Sequence, residues 1–113
     1  MPAPEVGKPL PRAEDAYVDQ SKWHGYVLAD DGHGPHWRRV FRVEPTQSAA
    51  LWQAIVELAR TGTVTHLRPN PYGFGCGIQT ELTFNGRTAT VRLGWFYERP
   101  DAPPRLVSAY PTP

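Results

Sequence analysis

The segment IQTELTFNGRTATVRLGWFY, residues 78–97, decides the fold, because apolar residues recur at alternate positions along both of its halves. A period of two is typical of a β-strand with one buried face. Asn85-Gly86 separates the two halves, and both residues accept the positive φ of a type I′ turn. We therefore predict an antiparallel hairpin, whose return strand has a core face made of Ala89, Val91, Leu93, Trp95 and Tyr97.

Upstream of this hairpin the apolar spacing changes to that of a helix. The segment after Pro45 carries one apolar face composed of Leu51, Trp52, Ile55, Leu58 and Ala59. Thr46 or Ser48 can cap this helix at its N-terminus, and Gly62 can end it in a left-handed conformation. Residues 36–43 carry a second, shorter helical stripe, and Pro35 suits its first turn.

The rest of the C-terminal half adds a strand and a loop. Residues 66–77, HLRPNPYGFGCG, are rich in Pro and Gly, so we expect an irregular segment in which only 64–67 can form a short strand. Residues 105–110 form a last strand, with Val107 and Ala109 in the core and Ser108 and Tyr110 on the opposite face. The predicted fold class is α+β, with N-terminal helices packed on one face of a C-terminal antiparallel β-meander and the other face open.

Length and composition define the domain organisation. Residues 1–12, MPAPEVGKPLPR, read as a Pro-rich linker or tail, and residues 13–113 as a single domain. No apolar run approaches the roughly 20 residues that span a bilayer. A single cysteine, Cys76, excludes an internal disulfide.

The net charge of +1 hides an uneven distribution. Residues 1–31 carry −3 and residues 32–113 carry +4, and ten of the twelve basic residues are arginine. The planar guanidinium fork can hold a phosphate through two hydrogen bonds, so this enrichment is compatible with an RNA ligand.

Three blocks carry a resemblance to a known family: LPRAEDAYVDQSKWHGYVL at 10–28, HGPHWRRVF at 33–41, and a C-terminal block ending in PRLVSAYP at 104–111. In order and spacing they resemble a bacterial domain family of unknown function, whose members look like C-terminal modules of polymorphic toxins. Its helix-then-meander layout is similar to the superfamily that joins barnase, EndoU, colicin RNases and RelE. The resemblance matches Lys22 to a conserved block, Arg38 to an expected Lys, and Ser108 to a usual Thr. In EndoU-like toxins a Ser or Thr two residues before a Tyr lies at the active site, which implies a role for Ser108 and Tyr110.

The candidate residues and the resemblance together predict a small metal-independent endoribonuclease, and the resemblance implies that it acts as a toxin effector. The catalytic set comprises His33, His36, Arg105, Ser108 and Tyr110, and the substrate-binding set comprises Lys22, Arg38, Tyr72 and Arg92. Histidine suits proton transfer near neutral pH, and arginine and hydroxyl donors suit a charged phosphorane. His24 and His66 are not assigned to the site.

No metal or cofactor is predicted, because His33-x-x-His36 lacks a third ligand. The expected partners are RNA and a cognate immunity protein or antitoxin, and the resemblance implies a secreted or delivered effector that acts in the cytoplasm of a target cell. Two other interpretations stay open. The chain can be a non-catalytic module that binds protein or nucleic acid, or a toxin with different nucleic-acid chemistry on the same scaffold.

Overall fold

The computed structural model describes residues 3–112, and it has the predicted α+β architecture. Three helices come first: α1 (Gln20–Lys22), which continues as a π-helical turn over Trp23–Val27, α2 (Gly34–Phe41) and α3 (Ser48–Thr61). Four strands follow: β1 (His66–Asn70), β2 (Gly73–Phe84), β3 (Arg87–Tyr97) and β4 (Arg105–Pro111). They form one antiparallel sheet in the order β1-β2-β3-β4.

Helix α3 lies where its apolar spacing predicts it, with Leu51, Ile55 and Ala59 fully buried. Its start differs from the prediction, because a capping box between Glu44 and Gln47 in the preceding 3-10 turn takes the place of a Thr46 or Ser48 cap. Its end differs too. Gly62 has φ −88° and is not left-handed. A Cβ there would lie 2.7 Å from the Leu58 carbonyl oxygen, so close backbone approach is what requires glycine.

The core lies between the helices and one face of the sheet. Trp37 and Phe41 of α2 stack at 5.7 Å, and Trp95 and Tyr97 of β3 are buried as predicted. Each such side chain contributes about 1.5–3 kcal/mol on burial. The polar atoms of two of them are satisfied by backbone carbonyls: Trp37 Nε1 donates to Ala109 O at 3.2 Å, and Tyr97 Oη donates to Pro11 O at 2.6 Å.

The β2–β3 hairpin turns at Asn85 and Gly86 with φ of 54° and 74°, which confirms the predicted left-handed turn. The Asn85 side chain also makes a tertiary hydrogen bond, in which its Nδ2 donates to the Phe41 carbonyl at 2.9 Å. The hairpin tip is thereby attached to the C-terminus of α2.

The prediction of an irregular segment at 66–77 is wrong. His66–Asn70 pairs with Gly73–Gly77 as a regular antiparallel hairpin. Pro69 is tolerated because β1 is an edge strand, where a missing N–H costs no ladder bond. The glycines of β2 are tolerated because side chains of the neighbouring strands lie over them: Phe96 over Gly73, Arg68 over Gly75 and His66 over Gly77.

The predicted core face of β4 is also wrong in part. A register shift beside Gly94 and Trp95 pairs Gly94 with Ser108 and Trp95 with Leu106, so Val107 is the extra residue of a β-bulge. Leu106 and Ala109 are therefore buried, while Val107 is only half-buried. The bulge resets the alternation, and Ser108 and Tyr110 still lie on the open face.

The described part of the segment predicted as a tail, residues 3–12, contacts the domain. Leu10 is buried, Pro9 bridges to Thr63, and the Gly7 N–H donates to the Val64 carbonyl at 2.8 Å. Met1 and Pro2 lie outside the described residues. Within residues 3–112, no helix has the length and apolar character needed to cross a membrane.

Candidate functional site

The open face of the sheet carries a row of four residues, one from each strand. His66 pairs with Gly77, Gly77 with Gly94, and Gly94 with Ser108. Directly paired residues of antiparallel strands share a face, so a histidine and a serine flank two glycines. Three strand spacings place the two outer Cα atoms about 14 Å apart. The middle of this face is thus a trough without side chains of its own.

Side chains from the neighbouring strands lean into that trough. The imidazole of His66 lies across Gly77, where any Cβ would collide with it. Over Gly94, a Cβ would collide with Ser108 Oγ and come within 3.0 Å of Arg68 Nη1. The two glycines therefore allow an imidazole, a guanidinium and a hydroxyl to come close together. The resulting cleft of about 440 Å³ is lined by polar groups of His66, Arg68, Arg92, Ser108 and Tyr110.

The hydrogen bonds of His66 define its tautomer. Arg92 Nη2 lies 3.3 Å from His66 Nε2, and a guanidinium can only donate, so Nε2 is the acceptor. The ring proton then sits on Nδ1, which donates to Thr65 Oγ1 at 3.0 Å. Thr65 in turn accepts from the Gln79 N–H at 2.9 Å, which holds it against β2.

The same surroundings keep His66 neutral. Burial lowers the pKa of His66 below its ordinary value of 6.5, and the positive charges of Arg92 and Arg68 lower it further. A neutral imidazole with an unprotonated Nε2 that lines a cleft is a proton acceptor.

Positive charge in the cleft has no carboxylate partner within the part of the chain that the structure describes. Neither Arg68 nor Arg92 forms an ion pair there. Arg105, one row away, contacts Asp19 at 3.5 Å, and its buried Nε has no hydrogen-bond partner in the same range. An anion with several oxygens, such as a phosphate, matches this arrangement of donors.

Tyr110 forms the end of the cleft nearest the helices, and His33 holds its ring. The two rings stack with centroids 4.8 Å apart. His33 itself is engaged at both nitrogens, by Tyr26 Oη at 3.1 Å and His36 Nδ1 at 3.4 Å. Burial lowers the pKa of His33, and the charge of His36 adds to that effect.

The structure brings some of the predicted site residues together and leaves others apart. Ser108, Tyr110 and Arg92 line one cleft, and Tyr72 and Arg105 line the adjacent one. His33 and His36 lie behind Tyr110, and Lys22 lies over the Tyr26 ring at 4.7 Å. Arg38 does not line either cleft. It forms an ion pair with Asp30 at 2.9 Å.

Sequence reasoning missed His66 and Arg68. Both lie on β1, within residues 66–77, for which the content of Pro and Gly predicts an irregular segment. One signal was present: His66, Arg68 and Asn70 alternate, and so do Gly73, Gly75 and Gly77 on the paired strand. On one strand every second residue is polar, and on the paired strand every second residue is glycine. This pattern indicates a sheet face on which a ligand can approach the backbone.

Across residues 3–112, no cluster of three or more His, Cys, Asp or Glu side chains could hold a metal ion. Burial raises the pKa of the Cys76 thiol to about 12, and Cys76 lies on the core face of β2. It is therefore a core residue and not a nucleophile.

The family model of a domain of unknown function, DUF6883, matches residues 9–113. Because this is nearly the whole chain, the chain belongs to the DUF6883 family. No curated protein matches the chain, and no solved structure matches it either. The family match carries no activity with it, so the resemblance to ribonuclease toxins stays a prediction.

Proposed function

We propose that this DUF6883 domain is a small ribonuclease that cleaves RNA by general acid–base chemistry on the open face of its sheet. One observation carries the proposal: a neutral histidine, two arginines without carboxylate partners and two hydroxyls line a single cleft. In RNA cleavage the 2′-hydroxyl of a ribose attacks the adjacent phosphate. That reaction requires a base, positive charge and hydrogen-bond donors, and the cleft contains all three. The proposal needs no metal, because the cleft offers donors and a base rather than a set of carboxylates.

His66 is the base in this scheme. Its Nε2 takes the proton of the 2′-hydroxyl, which replaces the 3.3 Å contact with Arg92. The 2′-oxygen then bonds to phosphorus and the bond to the 5′-oxygen breaks, leaving a 2′,3′-cyclic phosphate and a 5′-hydroxyl. Proton transfer of this kind contributes about 10²–10⁴ in rate.

Arg68, Arg92 and Ser108 stabilise the phosphorane. Their N–H and O–H groups line the first cleft beside Gly94, and a phosphate bound in that cleft can accept hydrogen bonds from all three. Donors fixed before the charge develops are worth about 3 kcal/mol each. Released from His66 by the substrate, Arg92 is free to donate to a phosphate oxygen.

Tyr110 is the acid that protonates the leaving 5′-oxygen. Its phenol lines the cleft across from His66, next to Arg92 on the paired strand. His33 acts as a positioning residue, because it stacks on the Tyr110 ring and uses both of its own nitrogens elsewhere.

The test is cleavage of single-stranded RNA in EDTA by the wild type and by His66→Ala. We expect the variant to lose about 10²-fold or more in kcat. His24→Ala is the matched control, because His24 is exposed and does not line the cleft. We expect the control to keep wild-type activity, and mass spectrometry of the products should detect the cyclic phosphate.

Three outcomes contradict the proposal. Full activity in His66→Ala removes the base assigned here. Tight RNA binding by the wild type without turnover favours the binding module, and added or altered nucleotides favour other nucleic-acid chemistry. The effector role, its delivery into a target cell and a neutralising immunity protein stay predictions that rest on the resemblance.

A further inference from the structure

A second cleft, of about 390 Å³, lies beside the first on the open face, and Arg68 and Pro69 border both. Its floor is Gly75, and its rim includes Phe96 and Arg105, which lie in one row with Arg68 and Gly75 across the sheet. This row is two residues along the strands from the row of His66 and Ser108, a distance of about 6.8 Å. A group held here is therefore a close neighbour of a phosphate in the first cleft.

Two aromatic rings border this second cleft. Tyr72, in the β1–β2 turn, is 84% exposed, which is unusual for so large a side chain. The Phe96 ring lies over Gly73, where a Cβ would come within 2.7 Å of it, and the Arg105 guanidinium lies 5.5 Å from its centroid. Tyr72 is exposed, and Phe96 and Arg105 are half-buried at the edge of the cleft. Aromatic and guanidinium planes next to a phosphate site are surfaces on which nucleobases stack.

The polar side chains around this cleft donate hydrogen bonds. Asn70 Oδ1 accepts from the Tyr72 N–H at 2.7 Å, and its Nδ2 has no partner within residues 3–112. Arg68 and Arg105 can only donate. Guanine and uracil carry a carbonyl oxygen at O6 and O4, the positions where adenine and cytosine carry amino groups that would face these donors.

We propose that the second cleft is a nucleobase subsite that stacks a base on Tyr72 and Phe96 and prefers the keto bases guanine and uracil. This inference rests on the proposed function in taking RNA as the ligand. The base would belong to the nucleotide whose phosphate lies in the first cleft, so the subsite would select where the RNA is cut.

The test is calorimetric titration of the intact domain with the 5′-monophosphates of guanosine, uridine, adenosine and cytidine, and with ribose 5-phosphate. We expect GMP and UMP to bind at least about fivefold more tightly than ribose 5-phosphate, the lower limit of base–aromatic stacking. The affinities of AMP and CMP should lie between those of the keto nucleotides and that of ribose 5-phosphate. None of the ligands is cleaved, so the measurement does not depend on catalysis.

Tyr72→Leu and Phe74→Leu form the matched pair of variants. Phe74 is an exposed aromatic two residues away on the same hairpin, but alternation along β2 puts it on the other face from Gly73 and Gly75. We expect Tyr72→Leu to lose about fivefold in GMP and UMP affinity, with ribose 5-phosphate unchanged. Phe74→Leu should bind all five ligands as the wild type does.

Each outcome decides the inference. Equal affinity for all four nucleotides and ribose 5-phosphate overturns it, and so does full GMP and UMP affinity in Tyr72→Leu. If the domain binds nucleotides according to their base but does not cleave RNA, the subsite is supported and the proposed ribonuclease activity is contradicted. If the domain cleaves RNA but binds all nucleotides alike, the subsite is contradicted and the proposed ribonuclease activity is supported.

Discussion

The two faces of the sheet are made by the same strands and have opposite chemistry. Under the helices, β3 and β4 bury Val91, Leu93, Trp95, Tyr97 and Leu106. On the open face the same two strands carry Arg92, Gly94, Phe96, Ser108 and Tyr110. The covered face stabilises the fold through large side chains, whereas the open face gains its cleft by leaving side chains out at Gly77 and Gly94. Stability and binding therefore depend on alternate residues of one sequence.

The largest effect we expect comes from breaking the covered face at the bulge. Leu106→Ala should cost about 2–5 kcal/mol in the free energy of unfolding, because Leu106 is 1% exposed and its removal leaves a cavity. Val107→Ala should cost about 1 kcal/mol or less, since Val107 is half-buried beside a cleft. Urea denaturation of both variants measures this difference. If Val107→Ala is the more damaging, the bulge assignment is wrong.

An intermediate effect should follow from adding a single methyl group to the open face. Gly77→Ala forces the new Cβ into the His66 ring, which should cost about 1–3 kcal/mol and displace the base from the trough. We expect thermal unfolding at a lower temperature together with a loss of RNA cleavage.

Gly25→Ala is the control for that variant. No atom lies within 4 Å of its added Cβ, and Gly25 lies in the π-helical turn, where alanine is preferred by about 0.5–1 kcal/mol. It should unfold at the same or a higher temperature with activity intact. A Gly77→Ala variant that behaves like Gly25→Ala would mean that the His66 ring is free to move away.

The smallest effect is electrostatic. His66 must be neutral to act as a base, so kcat/KM should fall as the pH drops through the pKa of His66, which lies below 6.5. Arg92→Gln removes a positive charge that lowers this pKa. The acidic limb of the pH profile should therefore move to higher pH, and the change should be small because the site is open to water.

Arg87→Gln is the charge-matched control, because Arg87 is exposed on β3 at the hairpin tip. Its acidic limb should coincide with that of the wild type. An unchanged limb in Arg92→Gln would show that another group controls the profile, which would weaken the assignment of His66 as the base.

The β2–β3 hairpin could be predicted from the sequence and the β1–β2 hairpin could not, for a physical reason. In β2–β3 each half has continuous alternation and Asn85-Gly86 forces the turn, so local sequence determines the structure. In β1–β2 the alternating residues are glycines, and Pro69 argues against a strand. That hairpin is held by β2, which pairs with β3 from Phe74 to Phe84 and extends the sheet to β1.

The candidate site divides in the same way. Ser108 and Tyr110 were expected on the open face, and they lie there, although the bulge at Val107 changes which neighbours are buried. His33 was expected to act on the substrate, but both of its nitrogens are engaged and it stacks on Tyr110. The alternation of His66, Arg68 and Asn70 indicates a polar face, but the contact that distinguishes His66 from the other histidines is with Arg92, which is 26 residues away.

Local sequence was sufficient to predict helix α3, the period-two core face of β3 and the turn at Asn85-Gly86, because these depend on neighbours within a few residues. The contact of His66 with the arginines and the bulge at Val107 could be found only from the folded chain. Those outcomes depend on register between strands, and register sums contacts along the whole sheet, so no short stretch of the chain contains it.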